Sequence, residues 1–207
     1  MDIDYDKWGW LNMAVIIREA NAKDISGILA LYSVYITETT HTFEYVVPSL
    51  SSFQDRIISI TEQFPLLVCE ADGELAGYAY ASTAFKRAAY QWDADMTVYL
   101  DARFHRMGVA TALYACLTDL LKLQGYYNLY AVISADNTAS MHFHRNFGFT
   151  DIGIFHKSGY KMGAWIDVLW MEKSIRHHNL EPAPTIPFRQ LDASVVTDIF
   201  ASRSIRD

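Results

Sequence analysis

The sequence lacks any hydrophobic run that approaches the roughly 18 apolar residues required to span a membrane. Its first residues also lack the basic and then apolar pattern of a secretory signal. We therefore expect a cytoplasmic protein with no membrane partner.

Positive charge is scarce as well. Seventeen Lys and Arg residues stand against 24 Asp and Glu residues, which gives a formal charge of −7. Binding to a nucleic-acid backbone requires clustered Lys and Arg, so we expect no nucleic-acid partner. Any anionic ligand must be bound by donors gathered locally.

Cysteine is nearly absent. Cys69 and Cys116 lie in apolar runs without the spacing of metal ligands, which favours buried free thiols over a disulfide or a nucleophile. His142 and His144 are two positions apart, so they point to different sides of a helix. We therefore expect no metal site.

The length of 207 residues favours one domain. We place this domain at residues 13–175. Residues 1–12 show no clear period and precede a second methionine, so they are either a natural N-terminal extension or an artificial addition. Residues 176–207 contain three prolines between 182 and 187, and we interpret them as an extended surface tail.

Hydrophobic periodicity predicts the element order β-α-α-β-β-β-α-β-α-β-β. Asp72-Gly73 separates two apolar runs and is typical of a hairpin turn, Ser49 is a candidate helix N-cap, and residues 136–140 form a helix-start signature. This order is typical of a mixed α/β sandwich in the α+β class, with helices on both faces of one sheet.

Residues 97–121 have the pattern of a strand, a tight loop and an amphipathic helix. Peptide N–H groups at a helix N-terminus lack intrahelical partners, and the helix dipole favours negative charge there. Gly108 and Ala110 permit close approach of a ligand, and Arg103, Arg106 and His105 add positive charge. The pattern indicates a phosphorylated ligand, with a purely structural turn as the alternative. Its spacing matches neither a dinucleotide-binding nor a nucleoside-triphosphatase loop.

Residues 105–110, HRMGVA, resemble the [QR]-x-x-G-x-[GA] pyrophosphate loop of the GNAT superfamily of acyl-CoA-dependent N-acyltransferases, with His in the first place. Three further motifs, NTAS at 137–140, HRNFGF at 144–149 and GYKMGAWID at 159–167, are similar in order and spacing to the phosphinothricin acetyltransferase-like branch. The resemblance covers about residues 13–173. It implies a GNAT-like, mostly antiparallel central sheet, acetyl-CoA as cosubstrate and a homodimer.

The resemblance also implies which residues bind acetyl-CoA. The main chain of Val98 and Leu100 would bind the pantetheine arm like an added strand, and the Val98 N–H would stabilise the oxyanion. Asn137 and Ser140 would touch the pantetheine or the pyrophosphate, with helix capping as a competing role for Asn137. The complete predicted set is Val98, Tyr99, Leu100, His105, Arg106, Met107, Gly108, Val109, Ala110, Thr111, Asn137 and Ser140.

Two residues are predicted to be catalytic. The family uses a carboxylate, usually Glu, as the general base two residues before the Ser or Thr of the central strand, and Asp95 occupies that position. Because Asp is one methylene shorter, we expect it to act through a water; a strand-end cap or salt bridge is the alternative, and Asp93 is a rival base. His144 would protonate the leaving thiolate or order a water, with packing or capping as its alternative.

Two loops carry the predicted acceptor-binding residues. Residues 38–44 resemble the E-T-x-x-x-F-E segment of the branch, which makes Thr40, Phe43 and Glu44 candidates; a solvated connector is the alternative. Residues 87–90 match R-x-A-Y, so Arg87 would pair with a substrate carboxylate and Tyr90 would wall the pocket. Here the alternative is a loop packed by its own aromatic residues.

Together these features predict an N-acetyltransferase. Its acceptor would be the amino group of a small amino acid or analogue, of the phosphinothricin, methionine sulfoximine or methionine sulfone type, and the amine would attack directly without a covalent enzyme intermediate. Two alternatives remain open: acetylation of a protein N-terminus, and a non-catalytic acyl-CoA sensor.

Overall fold

The computed structural model describes residues 14–204, so the proposed extension at residues 1–12 lies outside the described residues. The elements are β1 (Val15–Glu19), α1 (Ile25–Glu38), α2 (Leu50–Thr61), β2 (Leu66–Ala71), β3 (Glu74–Thr83), β4 (Asp93–Leu100), α3 (Val109–Gln124), β5 (Asn128–Ser134), α4 (Thr138–Asn146), β6 (Thr150–Lys161), β7 (Ala164–Ser174) and α5 (Ala193–Arg203). The predicted order from β1 to β7 is therefore correct.

Local chemistry at turns and caps accounts for several boundaries. Asp72 and Gly73 both have positive φ, 51° and 80°, as the tight turn between β2 and β3 requires. The Ser49 hydroxyl accepts from the Ser52 N–H and caps α2, and the Asn137 side chain accepts from the Ser140 N–H and caps α4. The predicted helix starts thus follow from side chains that compete for unpaired backbone donors.

The sheet has the strand order β1-β2-β3-β4-β5-β7-β6 within residues 14–204. Among the described strands, β4 and β5 pair in parallel and the other pairings are antiparallel. One face packs against α3 and α5, and the other packs against α1 and α2. The predicted fold class, a mostly antiparallel sheet with helices on both faces, is confirmed.

The sheet opens at its centre. Pairing between β4 and β5 is limited to three residue pairs and stops at Asp95 and Tyr130. Beyond that point residues 96–100 pair only with β3, and residues 131–134 pair only with β7. We call the resulting gap the wedge. It leaves one edge of the central strand free inside the molecule.

The C-terminal segment differs from the prediction. Residues 193–203 form α5 rather than an extended tail, and the helix packs against α3 and β1. Phe188 is buried, and Val196, Ile199 and Phe200 lie against the main core. The prediction of an extended tail rested on the three prolines. The last of them is residue 187, so the proline pattern ends before the helix begins and says nothing about residues 193–203.

Two further observations concern the expected absences. None of the helices within residues 14–204 is both long and apolar enough to cross a membrane. Cys69 and Cys116 are free and buried, and burial raises the pKa of each thiol to about 12.

Candidate active site

The loop before α3 gathers unpaired backbone donors. Arg106 has a φ of 62° and Gly108 a φ of 81°, so the chain turns twice through the left-handed region just before the helix. The Ala112 N–H donates to the Gly108 carbonyl, which closes the first turn of α3. The N–H groups of residues 109–111 therefore precede the first intrahelical bond and are available to an anion.

The positive side chains near this loop have different roles. Arg103 is engaged by Glu74 at 2.6 Å and by Asp101 at 2.8 Å, so its guanidinium supports the turn. His105 and Arg106 are exposed beside the loop. Residues 105–111 thus lie together at the N-terminus of α3, and their contact with a pyrophosphate stays a prediction.

Three residues on the free edge of β4 turn their main-chain groups toward the wedge. The carbonyls of the outer two accept hydrogen bonds from tyrosines, and the middle residue lies between them. The Asp101 N–H donates to the Ala76 carbonyl, and hydrogen-bonded pairs alternate along antiparallel strands. By this alternation, Tyr99 bonds to β3, whereas Met96, Val98 and Leu100 turn their main-chain groups toward the wedge.

Tyrosine hydroxyls occupy the outer two of these positions. Tyr114 donates to the Met96 carbonyl at 3.1 Å, and Tyr35 donates to the Leu100 carbonyl at 2.7 Å. The Leu100 carbonyl thus has a partner within the described residues, and its contact with a pantetheine arm stays a prediction. Val98 lies between the two tyrosines and faces the wedge.

Asp95 stands at the apex of the wedge, as the last β4 residue that pairs with β5. Its Oδ1 atom is buried and has no hydrogen-bond partner within the described residues. Burial raises the pKa of Asp95 to about 7. A carboxylate with these properties can accept and release a proton near neutral pH.

The rival base is less suitable. Asp93 accepts a 2.9 Å hydrogen bond from the Asn128 side chain. This contact gives Asp93 the strand-end role that was the alternative for Asp95. The geometry thus favours Asp95 of the two carboxylates.

His144 is buried in α4 with a relative exposure of 3%. Its Nδ1 lies 2.8 Å from the Ser140 carbonyl, and its Nε2 lies 3.1 Å from the Tyr114 hydroxyl. A carbonyl only accepts, so Nδ1 of the neutral ring carries the proton, and the single hydroxyl proton of Tyr114 lies between His144 Nε2 and the Met96 carbonyl. Burial lowers the pKa of His144 to about 4. His144 is therefore neutral at pH 7. Its role toward the leaving thiolate stays a prediction.

Asn137 and Ser140 occupy the start of α4. The Asn137 side-chain oxygen accepts from the Ser140 N–H at 3.0 Å, so the structure shows the capping role that was its alternative. The Ser140 hydroxyl lies 3.3 Å from His144 Nδ1. Contact of either residue with a cofactor stays a prediction.

The first predicted acceptor loop is tied to its surroundings rather than solvated. The Thr40 hydroxyl donates to the Asp136 carboxylate. The Glu44 carboxylate accepts from Arg56 at 2.6 Å and from the Tyr32 hydroxyl at 3.0 Å, which favours a role in holding the loop over direct contact with substrate. Phe43 remains 36% exposed and is the member best placed to meet a ligand.

The second predicted acceptor loop borders the apex of the wedge. The Tyr90 ring packs on the Phe85 ring with 5.0 Å between ring centroids, and the Phe85 ring packs on the Tyr130 ring with 5.3 Å between centroids. Tyr130 is the β5 partner of Asp95, and paired residues project from the same sheet face. The loop is thus packed by its own aromatics, and these also lie beside the candidate base. Arg87 is exposed on this loop.

Sequence reasoning missed several residues of this region. Tyr35, Tyr114, Arg56 and Lys161 each contact a predicted site residue or its loop. Tyr114 lies in α3, the helix that was predicted only as amphipathic. Its hydroxyl on a fully buried helix face was the available signal, because a buried phenol needs a hydrogen-bond partner.

The family described as Acetyltransferase (GNAT) domain matches residues 17–170. The phosphinothricin N-acetyltransferase of Streptomyces viridochromogenes is 33% identical over 175 residues, which cover 84% of this chain and 93% of that protein. The L-methionine sulfoximine/L-methionine sulfone acetyltransferase of Pseudomonas paraeruginosa is 29% identical over 177 residues, or 84% of this chain and 100% of that protein.

A solved structure agrees with these sequence relatives. The GNAT superfamily phosphinothricin acetyltransferase from Sinorhizobium meliloti, crystallised in complex with AcCoA, superposes with a TM-score of 0.77 at 27% identity. The match covers 86% of this chain and 100% of that one. The resemblance found in the sequence motifs is confirmed, as is the prediction of an acetyltransferase. The chain belongs to the GNAT acetyltransferase family.

Proposed function

We propose that this protein transfers the acetyl group of acetyl-CoA to the amino group of a small amino acid or a close analogue. Acceptors of the phosphinothricin, methionine sulfoximine and methionine sulfone type are the first candidates, because relatives with those names align over most of the chain. The observation that carries the proposal is the Asp95 carboxylate at the apex of the wedge, whose Oδ1 is buried and has no hydrogen-bond partner within the described residues.

The residues present fit acetyl-CoA. The N–H groups at the start of α3 suit a pyrophosphate, and the main chain of Val98 faces the wedge, where it can pair with the amides of a pantetheine arm. When bound, acetyl-CoA supplies the activated acyl group. The relative from Sinorhizobium meliloti was crystallised with AcCoA, which supports this assignment.

Asp95 is assigned the role of general base. An alkyl ammonium is mostly protonated at pH 7 and must lose a proton before its nitrogen can attack. With a pKa of about 7, Asp95 is about half ionised at neutral pH and can accept that proton through a bridging water. The Val98 N–H is assigned to the developing oxyanion, because a backbone donor needs no titration.

His144 is assigned a positioning role. It is neutral at pH 7, so it does not act as an imidazolium acid toward the leaving thiolate. Instead its Nε2 holds the Tyr114 hydroxyl, which lies against the Met96 carbonyl next to Asp95. His144 thus orders the α3 side of the wedge.

The loops favour a small acceptor. Phe43 and Tyr90 place aromatic rings at the edges of the site, and the exposed guanidinium of Arg87 can bind a carboxylate in a bidentate geometry. A free amino acid offers the amine and the carboxylate that this arrangement requires.

The protein is also proposed to be a cytoplasmic homodimer. One of the two edge strands of the sheet is β6, a 12-residue strand with Ile152, Ile154 and Phe155 about half exposed. Such an apolar edge invites pairing with a second chain. The two buried free cysteines suit a reducing compartment.

A thiol-release assay tests the proposal. Acetyl-CoA is offered with a panel of amino acids, phosphinothricin, methionine sulfoximine, methionine sulfone and N-terminal peptides. We expect turnover with a small acceptor and a loss of about 10²–10⁴-fold in kcat for Asp95→Asn, with the KM for acetyl-CoA within about twofold.

Asp93→Asn is the matched control, since it removes a carboxylate from the same strand and should lower kcat only a few-fold. Preference for peptides would contradict the small-acceptor assignment. Tight binding of acetyl-CoA without turnover on any acceptor would indicate a sensor instead. A large loss in Asp93→Asn with none in Asp95→Asn would transfer the base role to Asp93.

A further inference from the structure

Residues 39–46, between α1 and α2, cross the wedge; we call them the roof segment. On the β5 side, Thr40 donates to Asp136 in the turn before α4. On the β4 side, the preceding helix is fixed by Tyr35, whose hydroxyl donates to the Leu100 carbonyl at 2.7 Å. The roof segment therefore bridges the two halves of the sheet above the gap.

Lys161, the last residue of β6, lies beneath this segment. Its side chain is buried with a relative exposure of 3%, and its Nζ donates to the Thr42 carbonyl at 2.7 Å and to the Tyr35 carbonyl at 3.4 Å. Burying an ammonium is costly unless hydrogen bonds compensate for lost water. Because its acceptors are carbonyls of the roof segment and of α1, the position of Lys161 and the position of the roof depend on each other.

Gly159 lies two positions earlier on the same strand. A Cβ atom at this position would lie 2.1 Å from Cε1 of Phe43, a distance that atoms do not tolerate. The Phe43 ring therefore occupies space that is open only because Gly159 has no side chain. Between these two residues, the Tyr160 carbonyl accepts from the Tyr45 hydroxyl.

We propose that Lys161 and Gly159 are positioning residues that fix the roof segment and so set the shape of the acceptor site. The inference rests on the proposed function, since it takes the wedge as the place of acetyl transfer. Lys161 acts through the Thr42 carbonyl and Gly159 through the Phe43 ring. Neither needs to touch the substrate.

Steady-state kinetics of two variants tests this assignment. Lys161→Met keeps the length of the side chain but removes its donors, and Gly159→Ala forces the Phe43 ring to move. We expect each variant to raise the KM for the acceptor about tenfold or more, with the KM for acetyl-CoA within about twofold. Lys161→Arg, which restores donors, should recover part of the loss.

Each variant has a matched control on the same hairpin. Lys173 donates to the Phe147 carbonyl, away from the roof, so Lys173→Met should leave the acceptor KM within about twofold. Nothing lies within 4 Å of a Cβ at Gly153, so Gly153→Ala should do the same. Equal effects in the test variants and their controls would reduce Lys161 and Gly159 to general structural support and overturn the inference.

Hydrogen–deuterium exchange gives a readout that does not need catalysis. In Lys161→Met, peptides covering residues 39–46 should exchange at least several-fold faster than in the wild type, while peptides covering α3 keep their rates. Unchanged exchange rates in the roof segment of Lys161→Met would overturn the inference, even if the enzyme is active. If the wild type transfers no acetyl group but Lys161→Met still shows the expected difference in exchange, the proposed function is contradicted, whereas the role of Lys161 in fixing the roof segment stands.

Discussion

At the scale of single residues, the environment of Asp95 reverses what the sequence suggests about a carboxylate. An ordinary Asp is ionised at neutral pH, whereas Asp95 loses solvent at the apex of the wedge and gains no partner for Oδ1. Burial shifts the pKa of His144 in the opposite direction, downward, and thus also favours the neutral form of the side chain. Neither effect could be predicted from the sequence, because both depend on which segments cover the side chain.

A stability measurement tests the state of Asp95. Its pKa is raised in the folded protein, so the unfolded chain ionises first as the pH rises from about 4 to 7, and folding is progressively penalised over that window. Asp95→Asn removes the penalty. We expect the variant to be more stable than the wild type at pH 8, by up to about 4 kcal/mol, and equal to it near pH 3.5.

Denaturant unfolding at the two pH values checks this expectation, with Asp93→Asn as the control that gains nothing. A variant that is less stable than the wild type at pH 8 would show that the Asp95 carboxylate is well solvated or paired.

At the scale of elements, α5 belongs to the folded unit. The residue that directly follows α5 is hydrogen-bonded to the first strand: the Ile17 N–H on β1 donates to the Ser204 hydroxyl at 2.9 Å. Arg203 forms a 2.7 Å salt bridge with Asp119 of α3. The family match ends at residue 170, so α5 and its contacts with β1 and α3 lie beyond the matched domain.

The apolar face of α5 should contribute measurably to stability. Phe200 packs against the main core, whereas Val195 on the same helix is 41% exposed. Phe200→Ala is expected to lower the free energy of unfolding by about 1–3 kcal/mol, and Val195→Ala to change it by less than about 0.5 kcal/mol. Chemical denaturation followed by fluorescence measures both. A neutral Phe200→Ala would mean that α5 is not docked in solution.

At the scale of the whole molecule, the proposed homodimer has a defined test. Ile154 on β6 is 49% exposed, and Ile58 on α2 is 52% exposed. If β6 forms the dimer contact, Ile154→Arg should convert the protein from dimer to monomer, because a charge on an apolar interface is costly to bury. Ile58→Arg should leave the dimer intact. Light scattering after size-exclusion chromatography distinguishes these outcomes, and a monomeric wild type would contradict the proposal.

The whole-molecule view also shows which parts of the structure follow from the sequence. The order of β1 to β7 was predictable because each element has its own period and caps such as Ser49 and Asn137. The bond between Tyr35 and Leu100 was not, because 65 residues separate the two. The same holds for Lys161 and Thr42, which are 119 residues apart. Local patterns predict elements, while the site is assembled by contacts between distant segments.

The narrow seam between β4 and β5 has a consequence for engineering. Only three residue pairs join the half of the sheet that carries the α3 loop to the half that carries the β6–β7 hairpin. A graft of this hairpin from a homologue, together with the roof segment, would leave residues 105–111, the predicted pyrophosphate site, unchanged. Under the proposed function, we expect acceptor preference to move with these exchanged segments.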